Sequence, residues 1–163
     1  MNTFPKKVLE WKRKMKYKNI HCIFDMDGVL AEYQYGEGDA IINNIDGAFL
    51  NKRPLYSIID KVIELSKTPY VETYIISSCF STKHEFEKNT WLNQHLPCIK
   101  QENRYYSYCR SFTECNEKKI SLLKKIIDQK SPLIIIDDEH EVLRQLKNYS
   151  SNILLFHISS LID

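Results

Sequence analysis

Apolar and polar positions follow two rhythms along this chain, and the rhythms take turns. "IHCIF" (20–24) and "PLIII" (132–136) are short continuous apolar runs. Runs of this length and β-branched content predict strands covered on both faces. "VETYIIS" (71–77), "YYSYC" (105–109) and "ILLFHI" (153–158) predict three more strands. Between them the apolar spacing lengthens to that of a helix. "LYSIIDKVIELSK" (55–67) carries Ile58, Ile59, Val62, Ile63 and Leu65, and "EKKISLLKKIIDQK" (117–130) is clearly amphipathic. "KHEFEKNTWLNQHL" (83–96) predicts a helix with Phe86, Trp91 and Leu92 among its apolar positions, and "EVLRQLKN" (141–148) a shorter one. Strand and helix in alternation predict an α/β domain, its mostly parallel sheet sandwiched by helices.

Two segments fall outside this rhythm. Residues 6–18 are rich in Lys and Arg, with Val8, Leu9, Trp11 and Met15 as a weak apolar stripe. They predict a short basic helix packed on the domain with Trp11 as anchor, or a basic arm that attracts phosphate-bearing substrates. The chain thus divides into a basic N-terminal segment, 1–19, and a main domain, 20–163. Residues 31–54 lack clear periodicity and hold Gly36, Gly38 and Gly47, which predicts a small flap or cap.

The length of 163 residues suits one domain with a full-sized core. A net charge of +2 is too small to imply a nucleic-acid partner for the whole domain. The five cysteines are odd in number and show no CxxC spacing, which argues against a disulfide framework or a zinc site and for a reducing, cytoplasmic setting. The chain has no apolar run long enough for a membrane span, and its first residues do not read as a signal peptide.

The candidate chemistry lies just past the strand ends. Asp25 and Asp27 follow the first strand, Ser77 and Ser78 end the second, Arg110 follows the third with Lys118 and Lys119 opening the next helix, and Asp137 and Asp138 follow the fourth. In open α/β sheets the ligand crevice lies outside the carboxyl ends of the strands. These groups converge if the fourth strand returns beside the first. Converging carboxylates need a cation, and an all-oxygen set selects a hard ion, with Mg²⁺ the one expected. Such a site, with a hydroxyl and an ammonium, suits a phosphoryl group. An Asp carboxylate is then a candidate nucleophile, and a second carboxylate a candidate proton carrier. Residues i and i+2 of an extended segment face the same way, so Asp25 and Asp27 can meet one phosphate. Plainer roles exist for each: turn formers around Gly28, helix caps at Ser77 or the Asp137–Asp138 pair, and solvent-facing lysines.

"FDMDGVL" resembles motif I of the haloacid dehalogenase-like (HAD) phosphohydrolases, and "YIISS" resembles their motif II. A Lys at a helix start resembles motif III, and "LIIIDD" resembles motif IV in its double-Asp form. The four stand in the family's order over about residues 20–140. The resemblance implies a Rossmann-like fold with a minimal cap at 31–54. It implies Asp25 as nucleophile and magnesium ligand, and Asp27 as general acid/base with its carbonyl on the metal. Ser77, or Ser78 in its place, would bind the phosphoryl group. Lys119, or Lys118, would neutralise it. Asp138, with Asp137 sharing the role or behind it, would hold the metal. "FLNKRPLYSIIDKVIEL" and "HEFEKNTWLNQHLP" are similar to segments of the 5'(3')-deoxyribonucleotidase-like group, although the cap space is smaller than is typical there.

The expected function is Mg²⁺-dependent phosphomonoester hydrolysis through an aspartyl-phosphate, with a small phosphorylated substrate, a (deoxy)nucleoside monophosphate foremost. A polynucleotide 3'-phosphate end or a sugar phosphate is the alternative substrate. A non-catalytic binding or regulatory protein is the alternative class. Tyr33, Tyr35 and Phe49 are candidates to stack a base or to pack the flap. Arg110 and His140 read chiefly as surface residues, and Glu141 as a candidate support for the lysine or for a metal-bound water.

Overall fold

The run at 20–24 forms β1 (Ile20–Asp25), the middle strand of a five-stranded sheet. The computed structural model describes residues 4–34, 36–130 and 132–161. β2 (Val71–Cys79), β3 (Arg104–Tyr108), β4 (Leu133–Asp137) and β5 (Ile153–His157) complete the sheet in the order β3-β2-β1-β4-β5. Every pairing is parallel. The chain steps outward from β1 to β3, then crosses back to place β4 on the other side of β1. That reversal leaves a crevice at the C-terminal ends of β1, β2 and β4. The register aligns their ends: Asp25 lies opposite Ile76, and Phe24 opposite Ile136. Ser77 and Asp137 therefore each follow a residue at the level of the β1 terminus.

Helices cover both faces because successive strand residues point to opposite sides. Cys22, Phe24, Ile75, Ile134 and Ile136 pack against α1 (Phe4–Met15), α3 (Tyr56–Ser66) and α4 (Thr82–His95). Ile23, Tyr74, Ile76, Leu133 and Ile135 pack against α5 (Phe112–Lys130) and α6 (His140–Leu146). The basic N-terminal helix is held by Phe4, whose ring meets Phe24 at 6.2 Å and Phe156 at 5.1 Å. Full burial of one such side chain stabilises by about 1.5–3 kcal/mol. Trp11 is half-buried and packs on Tyr17. No helix among the described residues is long and apolar enough to cross a membrane.

Three expectations need correction. Phe86 is not a core position of α4: it is 70% exposed, while His84, Glu87 and Lys88 are buried beside Trp91 and Leu92. α5 starts at Phe112, not near 117, because Ser111 caps it: its Oγ accepts from the Glu114 amide, and the Glu114 carboxylate accepts from the Arg110 amide. Cys109 and Cys115 form a disulfide, since the turn from β3 into α5 brings their Cα atoms to 5.2 Å. Cys22, Cys79 and Cys98 are free.

Candidate active site

Gly28 ends the β1 segment for a reason of space as well as of backbone. Its φ is +79°, and a methyl group there would overlap the Asp138 carboxylate and the Tyr33 ring. The chain thus turns back tightly, with the Gly28 amide donating to the Ala31 carbonyl at 2.8 Å. Asp25 and Asp27 lead into this turn and line one cavity of about 310 Å³.

The two acids meet different partners. Asp25 is buried and pairs with Lys119 at 2.8 Å; Lys119 also donates to Asp137 at 3.0 Å. Oxygens of Asp25, Asp137 and Asp138 lie within 4.8 Å of one another. The second oxygen of Asp137 accepts from the Glu139 amide at 2.9 Å. Asp138 Oδ1 is buried and has no partner among the described residues. Burial pushes the Asp25 carboxyl well above the usual carboxylate range, opposed by Lys119 and reinforced by Asp137 and Asp138. Asp138 is raised by burial and then by Asp137. Three carboxylates and one ammonium leave two negative charges when all are ionised. An all-oxygen cluster with that charge and an orphaned buried oxygen fits a hard divalent cation.

Asp27 has the opposite surroundings. Lys52 donates to Oδ1 at 2.8 Å; Lys88 and Ser77 both donate to Oδ2, Ser77 at 3.1 Å. Lys88 also donates to Ser77 Oγ at 2.6 Å and to the Ser78 carbonyl at 2.7 Å. Burial alone would raise Asp27, but Lys88 and Lys52 outweigh it and hold the carboxyl far below the usual range. Here two ammoniums face one carboxylate. The cavity is therefore divided into an acidic half around Asp25 and a basic half around Asp27.

No family model matches the chain. Nor does any curated protein.

Of the residues expected at this site, Asp25, Asp27, Ser77, Lys119, Asp137 and Asp138 come together. Lys118 does not: it is half-exposed and pairs with Glu114 at 3.5 Å. Four residues, about one turn, after Cys115, Lys119 occupies the inward face of α5, and its neighbour Lys118 faces away. Ser78 lines the cavity with its hydroxyl engaged by Ser107 at 3.0 Å. Phe49 is buried between the flap and α4, and Tyr33 lies over the acids with its hydroxyl bonded to Asp138. Tyr35 lies outside the described residues. Glu141 pairs with Arg144 at 3.1 Å and does not line the cavity. His140 stacks on His157, whose Nε2 lies 2.9 Å from the Asp138 carbonyl. Arg110 is exposed.

Lys52 and Lys88 were not legible as site residues. Lys88 sits in a polar helix whose buried face breaks the hydrophobic rule. Glu87 accepts the flap amides of Gly47 at 2.8 Å and Phe49 at 3.1 Å. Trp91 Nε1 donates to the Lys52 carbonyl at 2.8 Å, and Lys83 donates to the Asn44 carbonyl at 2.6 Å. The flap, which contains the short helix α2 (Glu37–Ile42), is thereby fastened to α4, and Lys52 is delivered to Asp27.

Proposed function

We propose that this protein is a Mg²⁺-dependent phosphomonoester hydrolase that works through an aspartyl-phosphate on Asp25, with a nucleoside monophosphate as favoured substrate. The carrying observation is the divided cavity: a cluster with charge for a divalent cation faces a carboxylate held by two lysines and a serine. The resemblance to the HAD phosphohydrolases agrees with this reading.

Asp25, Asp137 and Asp138 would hold the cation. When bound, the cation supplies Lewis-acid charge at the phosphoryl oxygens. Lys119 opposes the effect of burial on Asp25, and the cation's charge would add to it, so that the ionised, nucleophilic form is favoured once the cation is bound. Lys88, with the Ser77 hydroxyl, offers donors to the transferring phosphoryl group, and Lys52 adds a second ammonium from the flap. A dianionic phosphoryl group competes with Asp27 for these ammoniums. Its arrival relaxes their hold, so that Asp27 gains affinity for a proton when substrate is in place. Asp27 then protonates the leaving oxygen, and in the second step takes a proton from the water that attacks the aspartyl-phosphate. Phe49, Phe80, Phe112 and Tyr33 line the same cavity with Asn116 among them, which suits a flat aromatic base with polar edges.

The test is a phosphate-release screen with Mg²⁺ across deoxynucleotides, ribonucleotides, sugar phosphates and 3'-phosphorylated oligonucleotides. Nucleoside monophosphates are expected to be hydrolysed fastest, and EDTA to stop release. Asp25→Asn is expected to abolish turnover with an unchanged circular dichroism spectrum. An Asp25→Asn protein with full activity overturns the mechanism; no hydrolysis of any substrate moves the protein to the binding class.

A further inference from the structure

The disulfide between Cys109 and Cys115 joins the end of β3 to the first turn of α5, across a segment of five residues. Cys115 lines the cavity that holds Asp25 and Asp27. The bridged segment carries Phe112, which lines the same cavity and packs edge-on against Phe80 at 5.0 Å. The other ties described for 110–114 are local: Arg110 to Glu114, Ser111 to Thr113, Glu114 and Cys115 to Ser111, and Glu114 to Lys118 within α5. The Cys109 amide donates to the Cys79 carbonyl at 2.9 Å, so the β3 side of the bridge is fixed to the sheet. The bridge is thus the covalent tether between the sheet and the start of the helix that bears the Phe112 wall. Lys119, one turn further along α5, has its own anchors in Asp25 and Asp137.

We propose that Cys109 and Cys115 form a reversible dithiol–disulfide site that sets the aromatic wall of the cavity, with a small dithiol as its reductant. Cys115 lines the cavity and is 8% exposed, whereas Cys109 does not line it and is 4% exposed. A thiolate of the dithiol attacks Cys115 Sγ, the Cys109–Cys115 bond breaks, and Cys109 leaves as a thiolate that takes a proton. The second thiol of the reductant then attacks the mixed disulfide and releases Cys115. Two electrons pass from the dithiol to the protein, and the reductant departs as a cyclic disulfide. Cys79 stays outside the exchange, because burial pushes its thiol up to about 11.

Reduction frees the Phe112 segment but leaves Lys119 and the aspartates in place. It therefore weakens the grip on a base and spares the phosphoryl chemistry. Conversely, a nucleotide in the cavity shields Cys115. These consequences rest on the phosphatase reading above; the thiol chemistry does not.

The experiment uses the full chain carrying Cys98→Ser, which removes the exposed free thiol. Equilibrated with oxidised dithiothreitol and then denatured, it is expected to titrate two thiols, Cys22 and Cys79; after reduction it titrates four. Reduction is expected to raise KM for thymidine 5'-monophosphate at least threefold and to change kcat for glycerol 2-phosphate less than twofold. Adding Cys109→Ser and Cys115→Ser gives the higher KM under both conditions. With Mg²⁺ present, thymidine 5'-monophosphate slows reduction at least threefold. Four thiols after oxidation, or a bridge that forms without moving KM or the rate of reduction, overturns the proposal. If no phosphomonoester is hydrolysed, the phosphatase reading fails, and the thiol titration still decides whether the pair is redox-active.

Discussion

Lys88 and Lys119 show how one side chain can be placed by burial and charge together. Each is buried, and each ammonium is spent on an aspartate of the cavity. Lys88→Met keeps the volume and removes the donor to Ser77 and Asp27. Loss of one preorganised donor to a developing charge costs roughly 10²–10³ in kcat, so Lys88→Met is expected to show such a fall in a steady-state phosphate-release assay, while Lys118→Met stays within twofold of wild type. His84 is a different case. It is fully buried between Phe49 and Phe80, with both ring nitrogens lacking a partner among the described residues. Burial, and then Lys88, lowers its pKa in the folded protein. The unfolded chain therefore takes up the proton first, and stability falls as pH drops from about 6.5. His84→Phe is expected to flatten the loss of urea-unfolding free energy between pH 7.5 and 5.5; an unchanged slope means that His84 does not titrate as placed.

At the scale of the element, α4 is a latch more than a core helix. Its buried acid holds two flap amides and its tryptophan holds a flap carbonyl, so the aperiodic stretch 31–54 takes its shape from a helix more than thirty residues away. The sequence marked α4 by Phe86, Trp91 and Leu92 and left the flap unpatterned, because the contacts that join the two are polar. Glu87→Ala strands two amides that the wild type satisfies. Each unmet buried donor costs about 1–3 kcal/mol. The expected outcome is a lower unfolding midpoint, faster amide exchange at Gly47 and Phe49, and a raised KM, because Lys52 is no longer delivered firmly to Asp27.

For the whole molecule, the decisive feature is a sheet that reverses its winding beside β1. The reversal sets three aspartates together, and among the described residues Lys119 is the ammonium paired with them. Crowded carboxylates destabilise the fold, and a bound cation would relieve them, so on the proposed reading Mg²⁺ is expected to raise the melting temperature. At a hundredfold excess over the dissociation constant the gain is about 2.7 kcal/mol. Asp25 and Asp138 are raised by burial, so protons compete with the metal at higher pH than for ordinary carboxylates. The shift measured by differential scanning calorimetry is therefore expected to shrink between pH 8 and pH 5. A shift that is absent at every pH removes the metal from the mechanism.

The order of strands and helices, the parallel sheet and the acids at the strand ends could all be read from the chain alone. These depend on local apolar period and on residue type, which act over a few neighbours. The tertiary structure decided the rest. It chose Lys119 over Lys118 by the rotation of α5, brought Lys52 and Lys88 onto Asp27, seated the flap on Glu87, and joined Cys109 to Cys115 across a tight turn. Each of these is a polar or covalent contact at a helix, flap or turn with no periodic trace in the sequence. Their positions follow from how the layers pack, and only then do the charges meet.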